Sequence, residues 1–175
     1  MNALDFIKKY KLVAIARKIA PGFIVRAAQA VYSGGIRCLE ITFDQASPSC
    51  IEDTAFSIAS VKKTLGDDVC VGAGTVVTIE QVKAAQDAGA DIVKVFPAGF
   101  LGLDYYKAVR SPINHVPLMA VGGIDETNVA SFFEAGYCSC GIGSNIMKNA
   151  LIEEGKYEAL ASLAEKFVKS CKAYV

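Results

Sequence analysis

The sequence predicts an α/β fold, a (β/α) barrel of the TIM type shortened to about six βα units. Three observations predict it. Six short apolar, β-branched runs recur, at Leu12–Arg17, Arg37–Phe43, Val69–Val77, Asp91–Pro97, Pro117–Ile124 and Tyr137–Ile146. Their starts lie roughly 20 to 30 residues apart, the length of one strand–helix unit. Helical periodicity fills the intervals, and alternating strands and helices with continuous apolar strands imply a parallel sheet covered by helices. The helix-to-strand joints also repeat: Ser33-Gly34-Gly35-Ile36, Asp87-Ala88-Gly89-Ala90 and Glu134-Ala135-Gly136-Tyr137 each put glycine where a helix stops. No Gly-x-Gly-x-x-Gly follows the first strand, which argues against a dinucleotide-binding sheet.

The helices follow in order. Ile24, Ala27, Ala28 and Val31 mark the first, and Ile51, Ala55, Ile58, Ala59 and Lys62 trace the second. Val82, Ala85 and Ala88 mark a third, with Thr78 and Gln81 as a capping-box pair at its start. The last is the clearest. Tyr157, Leu160, Leu163, Ala164, Phe167, Val168 and Cys171 form one apolar stripe, the mark of a helix packed on a core.

Composition bounds the function classes. With 175 residues, 53% hydrophobic and 21% charged, residues 1–175 are expected to form one domain that buries roughly 70% of its unfolded surface. Lys+Arg and Asp+Glu are both 18, so no basic excess favours a nucleic acid or an anionic membrane. No stretch reaches the ~18 apolar residues of a membrane-spanning helix. The start, Met1-Asn2-Ala3-Leu4-Asp5-Phe6, lacks the basic and then apolar run of a signal peptide. The cysteines (Cys38, Cys50, Cys70, Cys138, Cys140, Cys171) contain no C-x-x-C pair, and His115 is the lone histidine. A zinc-ligand set is therefore not expected, and the thiols read as reduced core residues of a cytoplasmic protein. His115 reads as a loop residue.

In a (β/α) barrel the chemistry gathers at the C-terminal strand ends. The first strand ends in Arg17; the second carries Glu40, Thr42 and Asp44; the third ends in Gly72-Ala73-Gly74-Thr75. The fourth holds Lys94 within Ile92-Val93-Lys94-Val95-Phe96-Pro97. Burying an ammonium ion costs several kcal/mol unless it is paired or its pKa falls. A lowered pKa suits a Schiff-base lysine, since only the neutral amine attacks a carbonyl; pairing with Glu40 is the structural alternative. Glu40 shares a strand face with Cys38 and Thr42 and could shuttle protons beside a lysine. Gly122-Gly123 and Gly143-Ser144, on the last two strands, stand where barrels hold phosphate with backbone N–H groups.

At these residues the sequence resembles the 2-keto-3-deoxy-6-phosphogluconate / 4-hydroxy-2-oxoglutarate aldolase family. The matching segments are Val13–Arg17, Gly34–Thr42, Val71–Val76, Ile92–Ala98, Val121–Ile124 and Gly141–Ser144, in the family's order. The resemblance implies a metal- and cofactor-free class I aldolase, commonly a homotrimer, acting on a phosphorylated keto acid and yielding pyruvate. It implies Lys94 as the Schiff-base lysine and Glu40 as the acid/base. Arg17 and Thr75 become substrate contacts, and Gly122, Gly123, Gly143 and Ser144 a phosphate site. A phosphate-binding barrel remnant and a sugar-phosphate isomerase or epimerase are the competing readings. Two departures stand out. Asp44 occupies a position where many members carry arginine, and Asp87-Ala88-Gly89-Ala90 runs directly into the lysine strand where the family passes through two further βα units.

Overall fold

The computed structural model describes residues 1–93 and 119–174. Lys94, His115, and the adjoining parts of the fourth and fifth strand runs lie outside the described residues. The strands are β1 (Leu12–Ala16), β2 (Cys38–Thr42), β3 (Cys70–Gly74), β4 (Ile92–Val93), β5 (Met119–Val121) and β6 (Ser139–Ile142). Around them lie α1 (Ala3–Tyr10), α2 (Pro21–Ser33), α3 (Cys50–Leu65), α4 (Ile79–Asp87), α5 (Val129–Glu134), α6 (Asn149–Glu153) and α7 (Tyr157–Ser170). The six strands form one sheet in the order β4-β3-β2-β1-β6-β5, and every described pairing is parallel. The strands follow the barrel sequence, but among the described residues the sheet ends at β4 and β5 without closing on itself.

Period-two alternation sorts each strand into two faces. Leu12, Ala14 and Ala16 of β1, Leu39 and Ile41 of β2, Val71 and Ala73 of β3, and Cys140 and Ile142 of β6 meet the helices. There they join Ile24 and Val31 of α2, Ile58 and Val61 of α3, and Leu160, Ala164 and Phe167 of α7, all buried. Each large side chain so buried contributes roughly 1.5–3 kcal/mol. The alternate residues Val13, Cys38 and Cys70 face the barrel interior and form a second, small core with Ile7 of α1. α1, like α5 and α6, is left out by the periodicity reading. It floors the interior, capped where the Asn2 side chain accepts from the Asp5 N–H at 2.9 Å.

The three predicted joints hold: Gly35, Gly89 and Gly136 have φ of 100°, 86° and 99°, the left-handed region glycine favours. Gly34 serves close approach instead, since a Cβ there would stand 2.5 Å from the Ala161 carbonyl oxygen of α7. Just after the second joint, Asp91 fastens β4 to β3. Its N–H donates to the Val71 carbonyl at 2.7 Å, and its carboxylate accepts from the Val71 N–H at 2.7 Å and from Lys62 at 3.1 Å. The register that follows pairs Gly72 with Ile92. Among the described residues no helix is long and apolar enough to cross a membrane.

All six cysteines are free, and Cys38, Cys70, Cys140 and Cys171 are buried. Burial pushes the Cys140 thiol up to about 12 and Cys171 up to about 11, from an ordinary 9.0. Cys38 is raised by its hydrogen bond to Cys70 and then by burial. Between pH 9 and 11 the folded chain therefore holds thiol protons that the unfolded chain has released, and stability falls as pH rises. Thermal unfolding across that window is expected to show a slope approaching about 1.4 kcal/mol per pH unit for each such thiol. A Cys140→Ala variant should show a shallower decline, and an unchanged slope would contradict the assignment.

Candidate active site

Arg17, Glu40, Thr75, Gly122, Gly123, Gly143 and Ser144, each singled out by sequence, line one cavity of about 860 Å³ at the C-terminal strand ends. That size suits a small-molecule site. Lys94, the eighth, lies outside the described residues.

Glu40 sits deepest. It is 4% exposed and also borders a smaller void over the apolar floor, near Cys38, Cys70 and Met119. Its carboxylate stands at the boundary between an oily base and an open, polar mouth. The neighbouring strand explains how it fits. Of β3, Cys70, Gly72 and Gly74 face the interior, and a Cβ on Gly74 would lie inside the Glu40 carboxyl group, 2.5 Å from its Cδ. Gly72 makes room for Ile92 in the same way, with 2.8 Å to its Cγ2. The Gly-Ala-Gly spacing thus keeps one strand face bare so that the glutamate of the next strand can lie across it.

At the rim of β1 and β3, the Arg17 guanidinium donates to the Thr75 hydroxyl at 3.4 Å. Thr75 has φ 55°, a strained conformation for a β-branched residue and one that costs of order 1–3 kcal/mol. On the opposite rim the carbonyls after β5 are tied back: Asn128 donates to Gly123 O at 2.9 Å and Asn145 to Ile124 O at 2.7 Å. Gly122 and Gly123 adopt φ of 104° and 64°. A Cβ on Gly143 would meet open space, so packing within the protein does not require glycine there. Approach of a ligand to the backbone would.

Asp44 lies apart from this. It is not among the described residues lining the cavity; its carboxylate accepts from the Ala46 N–H at 3.3 Å, and its carbonyl from the Ser47 N–H at 2.9 Å. It builds a turn, and among the described residues the cations lining the cavity are Arg17 and Lys18. Sequence reading missed Lys18, Asn145 and Asn149 as lining residues. Lys18 carries a signal only in its backbone, φ 56°, while its carbonyl accepts from Asn149 at 3.4 Å. No group of three metal-ligating side chains occurs among the described residues.

Residues from five strands meet in this cavity, the place where (β/α)-barrel enzymes gather their catalytic groups. Fold and cavity together define a chain of that class. The family model for KDPG and KHG aldolase matches residues 4–93 and again 89–163, and the chain belongs to that family, whose members are lyases. The two matched stretches overlap at residues 89–93. A 2-dehydro-3-deoxy-6-phosphogalactonate aldolase of Escherichia coli (strain K12) is 27% identical over 209 residues, spanning 95% of this chain and 97% of the relative. An alignment of 209 residues against a chain of 175 means that the relative carries internal length absent here. A 2-dehydro-3-deoxy-phosphogluconate aldolase of Treponema pallidum (strain Nichols) is 28% identical, covering 81% of this chain and 84% of the relative. Among solved structures, a native KDPGal structure superposes with a TM-score of 0.74 at 26% identity, covering 93% of this chain and 95% of the other.

Proposed function

We propose that the chain is a class I aldolase that cleaves a phosphorylated 2-keto-3-deoxy sugar acid to pyruvate and an aldehyde phosphate through an imine on Lys94. The observation that carries this reading is the Glu40 carboxylate lying across Gly74. Gly72 is in register with Ile92, and Lys94 follows Ile92 by two residues in the sequence. The positions 92 and 94 have the spacing at which side chains of one strand share a face.

In the proposed reaction the neutral Lys94 amine adds to the C2 ketone, and the carbinolamine, taking up one proton from solvent, expels water and leaves a protonated imine. Glu40, through a water, takes the proton of the C4 hydroxyl. The C3–C4 bond breaks, its electron pair moves into the imine to give an enamine, and glyceraldehyde 3-phosphate departs. The enamine takes a proton at C3, and hydrolysis returns pyruvate and free Lys94. The Gly122-Gly123 and Gly143-Ser144 backbones hold the phosphate, while Arg17 and Thr75 hold the carboxylate end. Asp44, turned into its own loop, leaves Arg17 to serve the anion. With 4-hydroxy-2-oxoglutarate the same steps would give pyruvate and glyoxylate. The resemblance further suggests a homotrimer in the cytoplasm.

Pyruvate formation from the phosphorylated keto acid, followed by a coupled reduction, tests the reading. Stoichiometric pyruvate and aldehyde are expected. Hydrogen exchange at a substrate carbon without cleavage would favour an isomerase instead, and binding without turnover a barrel remnant.

A further inference from the structure

Gln81 is buried to 3% exposure at the start of α4, where the sequence predicts a capping box. Half of that box forms: the Thr78 hydroxyl accepts from the Gln81 N–H at 3.3 Å. The Gln81 side chain turns elsewhere. Its Oε1 accepts from the Val77 N–H at 2.9 Å, and its Nε2 donates to Gln45 Oε1 at 2.9 Å. Gln45 Nε2 in turn donates to the Thr75 carbonyl at 2.7 Å. Each orientation follows from its neighbour. A backbone N–H can only donate, so Gln81 must present oxygen to Val77 and nitrogen to Gln45. Gln45 must then present nitrogen to Thr75. Two amides, joined also by Gln45 Nε2 donating to Gln81 Oε1 at 3.4 Å, thus link a helix start to the rim of the cavity.

Its endpoint is the strained residue. Thr75 has φ 55°, and its hydroxyl accepts from Arg17. Fixing the Thr75 carbonyl fixes the plane of the peptide that follows it, and with it the conformation that sets the hydroxyl beside the guanidinium. We infer that Gln45 and Gln81 are positioning residues, which hold Thr75 and through it Arg17 in the geometry that receives the anionic end of the substrate. This rests on the reading of Arg17 and Thr75 as substrate contacts.

Gln45 is exposed, so it can be changed without opening the core. Gln45→Met keeps the shape and removes the donor; Gln45→Glu faces the Thr75 carbonyl with oxygen. Gln45→Glu keeps an acceptor for Gln81 Nε2 and is expected to keep the wild-type melting temperature. Gln45→Met removes that acceptor and is expected to melt a few degrees lower while staying folded at assay temperature. KM for the keto acid should rise about tenfold, with kcat changed less than about threefold, as loss of one well-placed hydrogen bond implies. Because the clamp acts through Thr75, Gln45→Met added to Thr75→Val should cost little more than Thr75→Val alone. A wild-type KM in Gln45→Met, or full additivity in the double variant, would overturn the clamp while leaving the aldolase reading intact. Absence of pyruvate release by the wild-type chain would overturn both.

Discussion

Replacing Lys94 with methionine is expected to lower pyruvate release by about 10⁴-fold or more, around 5.5 kcal/mol of transition-state stabilisation. Methionine alone would not decide the matter, since a lysine held only as an ion-pair partner for a buried carboxylate would also be missed. Lys94→Arg separates the two roles. Arginine keeps the positive charge but stays protonated at any working pH, so it cannot form an imine. If Lys94 is the nucleophile, the arginine variant should be as inactive as the methionine variant. If its service is ionic, the arginine variant should keep much of the activity.

The second large effect is expected at Glu40. Glu40→Gln preserves size and hydrogen bonding but removes the base, and kcat should fall by about 10²- to 10⁴-fold with KM little changed. Gly74→Ala reaches the same carboxylate from the facing strand. The added methyl would occupy the volume of the Glu40 carboxyl group, so either the glutamate leaves its place or β2 and β3 part. Overpacking of this kind costs typically about 1–3 kcal/mol. A folded Gly74→Ala protein should therefore behave as a Glu40 variant, with kcat reduced. Full activity in Gly74→Ala would mean that the carboxylate position across β3 is not used.

The parts of this molecule visible in its sequence are those governed by local period and composition. Six apolar runs and three glycine joints suffice for the parallel order, because each strand–helix unit repeats the same local rule. Seven predicted residues share one cavity because the barrel rule assigns them all to one end of the sheet. Other features depend on tertiary placement. α1 is a short helix whose signals, Asn2 as cap and Lys8 and Lys9 in the last turn, are present but weak without the barrel floor it packs against. The Gln45–Gln81 pair is separated by 36 residues and appears in the sequence only as half of a capping box. The role of Gly74 is equally hidden: Gly-Ala-Gly looks like a turn until Glu40 is seen lying across it.

The missing length acquires a structural meaning at β4. Asp91, within the residues that both family matches include, bonds Val71 through backbone and side chain and sets β4 directly beside β3. The shortened chain thereby still brings the strand that leads into Lys94 next to the strand that Glu40 crosses. This arrangement would make Lys94 an imine-forming lysine. Borohydride reduction of the wild-type chain in the presence of pyruvate, read by peptide mass spectrometry, tests it most directly. A stable pyruvate-derived mass is expected on the peptide containing Lys94, absent from Lys94→Arg. An unmodified wild-type chain, or equal labelling of the Lys94→Arg variant, would contradict it.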